Sequence, residues 1–282
     1  MAIQADKLLA LDLPEKTARY GPRETMLYAI GIGMGHDPMD PRTLPFVFDA
    51  GLKAFPTLAT VIAWDETWVE HAGLDFLKVL HGEQRIVWHR PLPPAAEIKY
   101  KVRVTDIFDK GAGKGAVLVI HWDIKLASGE PLCALDSVVF ARADGGFGGK
   151  PGGPPPLPAT PEGKPDWIVD LPTRPEAALL YRQSGDPNPL HTDPEVAKRA
   201  GFPMPILQGL NFYGVAAHAV LRAAADYDPA RMKSIGARFA APVYPGETVR
   251  TEIWRSARGA QFRARVVERD IVVLSHGNAE IA

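Results

Sequence analysis

Tyr181-Arg182-Gln183-Ser184-Gly185-Asp186-Pro187-Asn188-Pro189-Leu190-His191 sets a carboxylate, a carboxamide and an imidazole at positions i, i+2 and i+5 of one short stretch. Proline fixes its own φ and pushes the residue before it out of the helical region. Pro187 and Pro189 therefore place Asp186 and Asn188 on an extended, well-defined loop. Loops rich in Gly, Asp, Asn and Pro are common, and an Asp with a His five residues on recurs in many polar turns, so the stretch gains meaning only from its surroundings. Immediately downstream, Asp193 suits an N-cap, Pro194 the first helical position and Glu195 the positive end of the helix dipole. A short helix is expected from Pro194 to Ala200, stopped by Gly201.

Further along, Gly209 to Ala225 carries Leu210, Phe212, Tyr213, Val215, Ala216, Ala219, Val220 and Ala223, apolar nearly all round and longer than a strand. This pattern predicts a helix buried against a sheet, with Gly214, Ala216 and Ala217 allowing close approach and His218 a packed or capping residue. Strand-like runs follow at Thr248 to Arg255, Gln261 to Glu268 and Ile271 to Ile281. A matching set lies upstream at Ile98 to Phe108, Ala116 to Leu126 and Leu132 to Arg142, and glycine-bearing turns separate both sets into antiparallel meanders.

The two sets belong to a duplication. Trp88-His89-Arg90-Pro91-Leu92-Pro93-Pro94-Ala95-Ala96-Glu97 aligns with Phe239-Ala240-Ala241-Pro242-Val243-Tyr244-Pro245-Gly246-Glu247-Thr248 at an offset of 151, and Tyr28 precedes Tyr181 by 153. Between them, Asp144 to Pro165 crowds Gly145-Gly146, Gly148-Gly149, Gly152-Gly153 and Pro154-Pro155-Pro156, a composition that cannot build a core and reads as an exposed connection. The expected organisation is a first repeat over 1–144, a linker over 145–165 and a second repeat over 166–282.

Composition excludes several classes. The 282 residues are 46% hydrophobic and 23% charged with a net charge of −1, an ordinary soluble globular balance without the basic field that nucleic acid would require. The lone Cys133 rules out an intrachain disulfide framework and fits a core position in a reducing compartment. No signal or transit pattern opens the chain, no run of eighteen apolar residues occurs, and Ala279-Glu280-Ile281-Ala282 is no peroxisomal tripeptide. A cytoplasmic protein without a membrane partner is expected.

Tyr-x-x-Ser-Gly-Asp-x-Asn-Pro-Leu-His, followed by Ala197, Ala200-Gly201-Phe202 and Pro205-Ile206-Leu207-Gln208-Gly209-Leu210, resembles the signature of the MaoC-like, R-specific enoyl-CoA hydratases, also called hydratase 2. The resemblance implies an α+β double hot-dog fold, two repeats each with an antiparallel sheet wrapped round a central helix. It implies reversible hydration of trans-2-enoyl-CoA to (3R)-3-hydroxyacyl-CoA in fatty-acid or related acyl-CoA metabolism. The partner would be the acyl-CoA thioester, with CoA as part of the substrate and no separate cofactor, and the family's habit of pairing makes a homodimer the expected assembly.

The site follows residue by residue from that likeness. Asp186 and His191 would handle protons, one as base and one as acid in an order the sequence leaves open, and Asn188 would orient the water or the Asp. The Gly209 N–H, opening the long helix, would receive the negative charge on the thioester oxygen. His81-Gly82-Glu83-Gln84 and Asp109-Lys110-Gly111 look like family segments that contact the carrier, making His81, Gly82 and Lys110 expected CoA contacts. Pro187, Pro189, Leu190 and Phe239 would pack on the ligand. Asp186, His191 and Asp193 lack a fourth ligand at a recognisable spacing, so no metal is expected.

Two departures shape the reading. Stepping back 153 from Asp186 and His191 reaches Gly33 and Pro38, so the first repeat has no acid/base pair and is expected to house the acyl chain, with Phe48, Phe55, Leu58, Ile62 and Trp64 available as lining. Its Gly31, Gly33 and Gly35 lack the spacing of a phosphate loop. Gln208 stands where the family usually has His, a neutral amide that can hydrogen-bond but not titrate. Two alternatives stand beside hydration of simple enoyl-CoAs: a non-catalytic acyl-CoA-binding subunit, and a hydratase for a bulky, branched, dicarboxylic or steroid-side-chain enoyl-CoA.

Overall fold

Alternating buried and exposed side chains run along the strands of a computed structural model that describes residues 3–74 and 78–282. In chain order the elements are α1 (Ala5–Leu9), β1 (Lys16–Tyr20), α2 (Pro22–Gly31), α3 (Leu44–Val47), α4 (Ala59–Ile62), α5 (Thr67–Ala72), β2 (Val79–Trp88), β3 (Ala96–Asp109), β4 (Ala116–Leu126) and β5 (Pro131–Ala141). There follow β6 (Trp167–Pro172), α6 (Ala177–Arg182), α7 (Pro194–Arg199), α8 (Gly209–Ala224), β7 (Met232–Phe239), β8 (Thr248–Ser256), β9 (Gly259–Val266) and β10 (Ile271–Ile281). The ranges expected for β4 and β10 coincide with those observed.

All ten strands join one antiparallel sheet in the order β1-β3-β4-β5-β2-β7-β10-β9-β8-β6. Read from the centre outward, the two five-stranded halves are mirror images in strand order. They meet along β2 and β7, where Arg85 pairs with Gly236. Those residues are 151 apart, the offset between Pro91 and Pro242, so the approximate two-fold axis of the duplication passes through this pair.

The core is organised on α8, where every residue from Asn211 to Leu221 is buried. At Gly214 an added Cβ would lie 2.6 Å from Ile32 Cγ2 and 3.0 Å from the Tyr28 hydroxyl, so α8 crosses the first half with no side chain between. His218 is packed as expected, near the Ile32 carbonyl and the Tyr227 hydroxyl at 3.3 Å each.

Among the described residues no comparable helix fills the first half. In the position related by the duplication, the chain makes a 3-10 turn over Pro56–Leu58 and then the four-residue α4. Pro56 precedes Gly209 by 153, the spacing of Tyr28 and Tyr181. The apolar residues between Phe46 and Trp68 divide: Phe46, Phe55 and Leu58 are core, Ile62 and Trp64 half-buried. Phe48 is 56% exposed, because it adopts extended backbone just past α3 and leaves the packed layer.

The Gly/Pro-rich connection is held down along much of its length. Leu157 is buried, and Arg85 Nη2 donates to the Pro155 carbonyl (2.7 Å) and Gln261 Nε2 to that of Ala159 (3.1 Å). The connection is exposed or half-buried along its length except at Leu157, in keeping with its composition, and its backbone carbonyls are met by donors presented by the sheet.

Candidate active site

A sequence of side-chain caps fixes the loop after α6. Asp186 Oδ1 accepts the Asn188 N–H (3.0 Å), Asn188 Oδ1 accepts the Leu190 N–H (3.0 Å) at the head of a 3-10 turn over Pro189–His191, and Asp193 Oδ1 accepts the N–H groups of Glu195 (2.8 Å) and Val196 (3.3 Å) at the head of α7. Short acceptor side chains two residues before a backbone donor make such turns rigid. Arg182 donates to the Pro187 carbonyl and ties the loop to α6.

This scaffold buries Asp186 and His191 and turns them toward each other. His191 Nδ1 lies 2.8 Å from the Ile206 carbonyl, which can only accept, so Nδ1 carries the proton. Nε2 then faces Asp186 Oδ2 across 3.7 Å, too long for a direct hydrogen bond and suited to a shared water. Burial pushes the imidazole pKa below its usual value, against the opposing pull of the Asp186 charge and the Ile206 bond. His191 is therefore neutral at pH 7, with a lone pair on Nε2.

The start of α8 is pinned on both sides. Gln208 Nε2 donates to the Ala178 carbonyl on α6 (3.0 Å), and Asn211 Nδ2 to the Gly31 carbonyl at the end of α2 (2.8 Å). Gly209 lies between them at the first helical position, where the backbone N–H has no partner within the helix. A Cβ there would come within 3.3 Å of the Phe239 ring. Phe239 in turn stacks near His81 (centroids 4.7 Å) and edge-on to Phe212 (5.7 Å).

Phe239 also opens a cleft of about 320 Å³, whose lining includes His81, Gly82, Glu83, Lys110, Arg238, Gly153, Pro154 and Pro156. Four sequence-predicted contacts, His81, Gly82, Lys110 and Phe239, therefore share one cavity that abuts the start of α8. Burial lowers the His81 pKa to about 4, so its ring is neutral. Glu83 is shared between Arg238 (2.7 Å) and Arg85 (2.5 Å), and Lys110 Nζ donates to the Gly152 carbonyl (2.9 Å). Pro187, Pro189 and Leu190 do not line this cleft; Pro187 and Pro189 are exposed on the capping loop and Leu190 is half-buried.

Asn188 holds two turns of the loop. Its backbone N–H holds Asp186, while its carboxamide oxygen caps the following turn. The sequence reading passed over Ile206, whose carbonyl sets the His191 tautomer, because a backbone acceptor leaves no mark in residue identity. Glu66 was missed because it comes from the other half. Partial desolvation and the nearby Asp186 and Asp65 charges raise its pKa. Among the described residues no group of three or more His, Cys, Asp or Glu side chains is placed to hold a metal ion, and no helix is long and apolar enough to cross a membrane.

Two halves of one antiparallel sheet, with a single long helix whose first turn lies between an Asp–His loop and a cleft, define a double hot-dog protein. Residues 157–276 match the MaoC like domain and residues 19–143 the MFE-2 hydratase 2 N-terminal domain, and the chain belongs to this MaoC-like hydratase 2 family. It is 38% identical over 283 residues to enoyl-CoA hydratase ChsH3 of Mycobacterium tuberculosis, covering 98% of both chains. It is 37% identical over 291 residues to the peroxisomal enoyl-CoA hydratase 2 of Arabidopsis thaliana, covering 96% of this chain and 93% of that one. Among solved structures it is similar to a MaoC-like dehydratase from Phytophthora capsici, with a TM-score of 0.88 and 34% identity over 99% of this chain and 98% of that one.

Proposed function

We propose that this protein is a hydro-lyase that adds water reversibly across the double bond of trans-2-enoyl-CoA to give (3R)-3-hydroxyacyl-CoA. The observation that carries the reading is the buried Asp186–His191 pair, locked by the carbonyl of Ile206 three residues before α8, whose first N–H has no partner within the helix. Asp186 Oδ2 and His191 Nε2 are two acceptors at the separation one water can bridge, and together they grip its two hydrogens. As the oxygen bonds to C3, one of the pair takes a proton and returns it to C2, so that the water is divided between the two carbons. The electron pair of the double bond moves onto the thioester oxygen as an enolate, which the Gly209 N–H and the helix dipole stabilise. His81, Lys110 and Phe239 hold the carrier arm in the adjoining cleft.

Hydration of crotonyl-CoA and trans-2-decenoyl-CoA by the purified protein, with product chirality determined, tests this. The 3R alcohol is expected, and Asp186→Asn and His191→Ala should each lower kcat by about 10²- to 10⁴-fold, the range for loss of a proton-transfer group. A 3S product, or full activity in either variant, would overturn it.

A further inference from the structure

The Gly/Pro-rich connection forms one wall of the cleft, and a single carboxylate gathers its beginning. Asp109, the last residue of β3, accepts four backbone N–H groups: Gly111 (2.8 Å) and Gly146 (2.7 Å) at Oδ1, Gly148 (2.8 Å) and Gly149 (3.3 Å) at Oδ2. Its own N–H donates to the Lys150 carbonyl at 2.8 Å. Side chains would not fit here. An added Cβ on Gly145 would lie 2.4 Å from the Gly111 carbonyl oxygen and one on Gly146 2.9 Å from Ala112 Cα, while Gly146 and Gly148 have φ of 88° and 81°. The glycines let the segment close on one acceptor.

Past that knot the chain runs on as a strap. Gly152 receives Lys110, Pro155 receives Arg85, and Leu157 is buried with its Cδ2 3.2 Å from the position a Cβ would take on Gly236, at the two-fold axis. Between the two anchors, Gly153, Pro154 and Pro156 face His81 and Phe239 across the cavity. Proline pre-sets its φ, so this wall loses little further freedom when a ligand arrives. At about 320 Å³ the space sits at the low end for ligand sites, fitting a slender arm better than a bulky group.

We propose that residues 145–157 are a built wall of the carrier-arm site and that Asp109 is its positioning residue, selecting for thioesters carried on the long pantetheine arm of CoA. This rests on the hydratase reading for the identity of the ligand. Asp109 touches neither the reacting atoms nor the acyl group. It sets affinity for the carrier through the strap and leaves the chemistry at Asp186 and His191 alone.

The test compares crotonyl-CoA with crotonyl-N-acetylcysteamine, which has the same acyl thioester but ends before most of the arm. In Asp109→Asn an amide replaces an acceptor facing two N–H groups. KM for crotonyl-CoA should rise about tenfold, with kcat changed less than about threefold and both constants for the short thioester unchanged. Leu157→Ala, which frees the far anchor, should give the same split if Asp109→Asn does not fold. Equal losses on both substrates, or none on either, would overturn the proposal. Calorimetric titration with free CoA needs no turnover and should show about tenfold weaker binding in the variant. Wild-type protein that binds CoA but hydrates neither thioester would remove the hydratase reading and leave the strap standing; equal CoA affinity in variant and wild type would remove the strap.

Discussion

The two halves share a strand order and a fold, yet the Asp–His loop and the long helix are present in the second and replaced in the first. Where the second half has Asp186 and His191, the first has Gly33 and Pro38; where the second has the 16-residue α8, the first has a 3-10 turn and a four-residue helix. The third difference is the most specific. Gly209 corresponds to Pro56, which has no N–H at all, so this position of the first half offers no backbone donor. Its counterpart of Phe239 is Trp88, whose indole N–H donates to the Pro56 carbonyl at 3.1 Å.

The first half is still no inert remainder. His81, Gly82 and Lys110 all come from it, and the two-fold axis through Arg85 and Gly236 brings β2 beside β7 so that they line the cleft used by the second half's helix. The reverse contribution is missing. The residue 151 after His81 is the buried Met232, and the residue that far beyond Glu83 is Ser234. Ser234 lines a second hollow of about 380 Å³ with Gln261, Asn278 and an Arg258–Glu280 ion pair, without any aromatic wall. The duplication thus gives two hollows related by symmetry, and on the hydratase reading proposed above one takes its reacting end from one copy and part of its carrier cleft from the other.

The comparison can be broken at Gly209. Proline is well tolerated at the first helical position, and Gln208 already has the ψ of 136° that a following proline favours, so Gly209→Pro should fold while importing the missing N–H of Pro56. Gly209→Ala serves as its control, since it brings the same Cβ toward Phe239 but keeps the donor. Turnover of crotonyl-CoA should be about 10²-fold lower in the proline variant than in the alanine variant, the usual cost of deleting one such donor. Equal rates would mean that Gly209 does not carry the charge.

Much of this asymmetry was legible in the residues. The absence of an acid/base pair in the first repeat followed from the offset alone, and strands such as Ala116–Leu126 followed from partly alternating runs rich in β-forming residues. Pro56 was equally visible in the sequence, but nothing marks where a helix begins when it lasts only one turn. The junction of β2 and β7 could not be read, because pairing between strands 150 residues apart is set by the tertiary fold rather than by local pattern. The exposure of the strap followed from its composition, but where it docks did not, because Asp109 and Leu157 decide that through tertiary contacts.

A smaller effect separates buried imidazoles by pH. Burial lowers the pKa of both His81 in the cleft and His218 on α8 to about 4. Unfolded, each takes up its proton near 6.5, so between these values the unfolded chain binds more protons and stability falls as pH drops from about 6.5 toward 4. The contribution is complete above that window, and losing it costs on the order of 2–3 kcal/mol per histidine. Urea denaturation at pH 7, 5.5 and 4.5 should show the decline, and His218→Gln should flatten it by its share. A pH-independent stability across that range would mean that these rings are hydrated in solution.

The finest test concerns the pair itself. Two influences act on His191 in opposite directions: burial lowers its pKa and the Asp186 carboxylate raises it, with burial the larger. The acid limb of kcat/KM should therefore lie below pH 6.5 in the wild type. Replacing the carboxylate in Asp186→Asn removes the opposing influence, so the imidazole, followed by NMR of its ring nuclei, should titrate at still lower pH. An unchanged or raised value would mean that the 3.7 Å approach does not couple the groups in solution. In the first half Pro38 stands at the corresponding position and cannot titrate. Any pH dependence of turnover that survives His191→Ala must then come from other groups, and the CoA and N-acetylcysteamine thioesters would tell the carrier cleft from the rest.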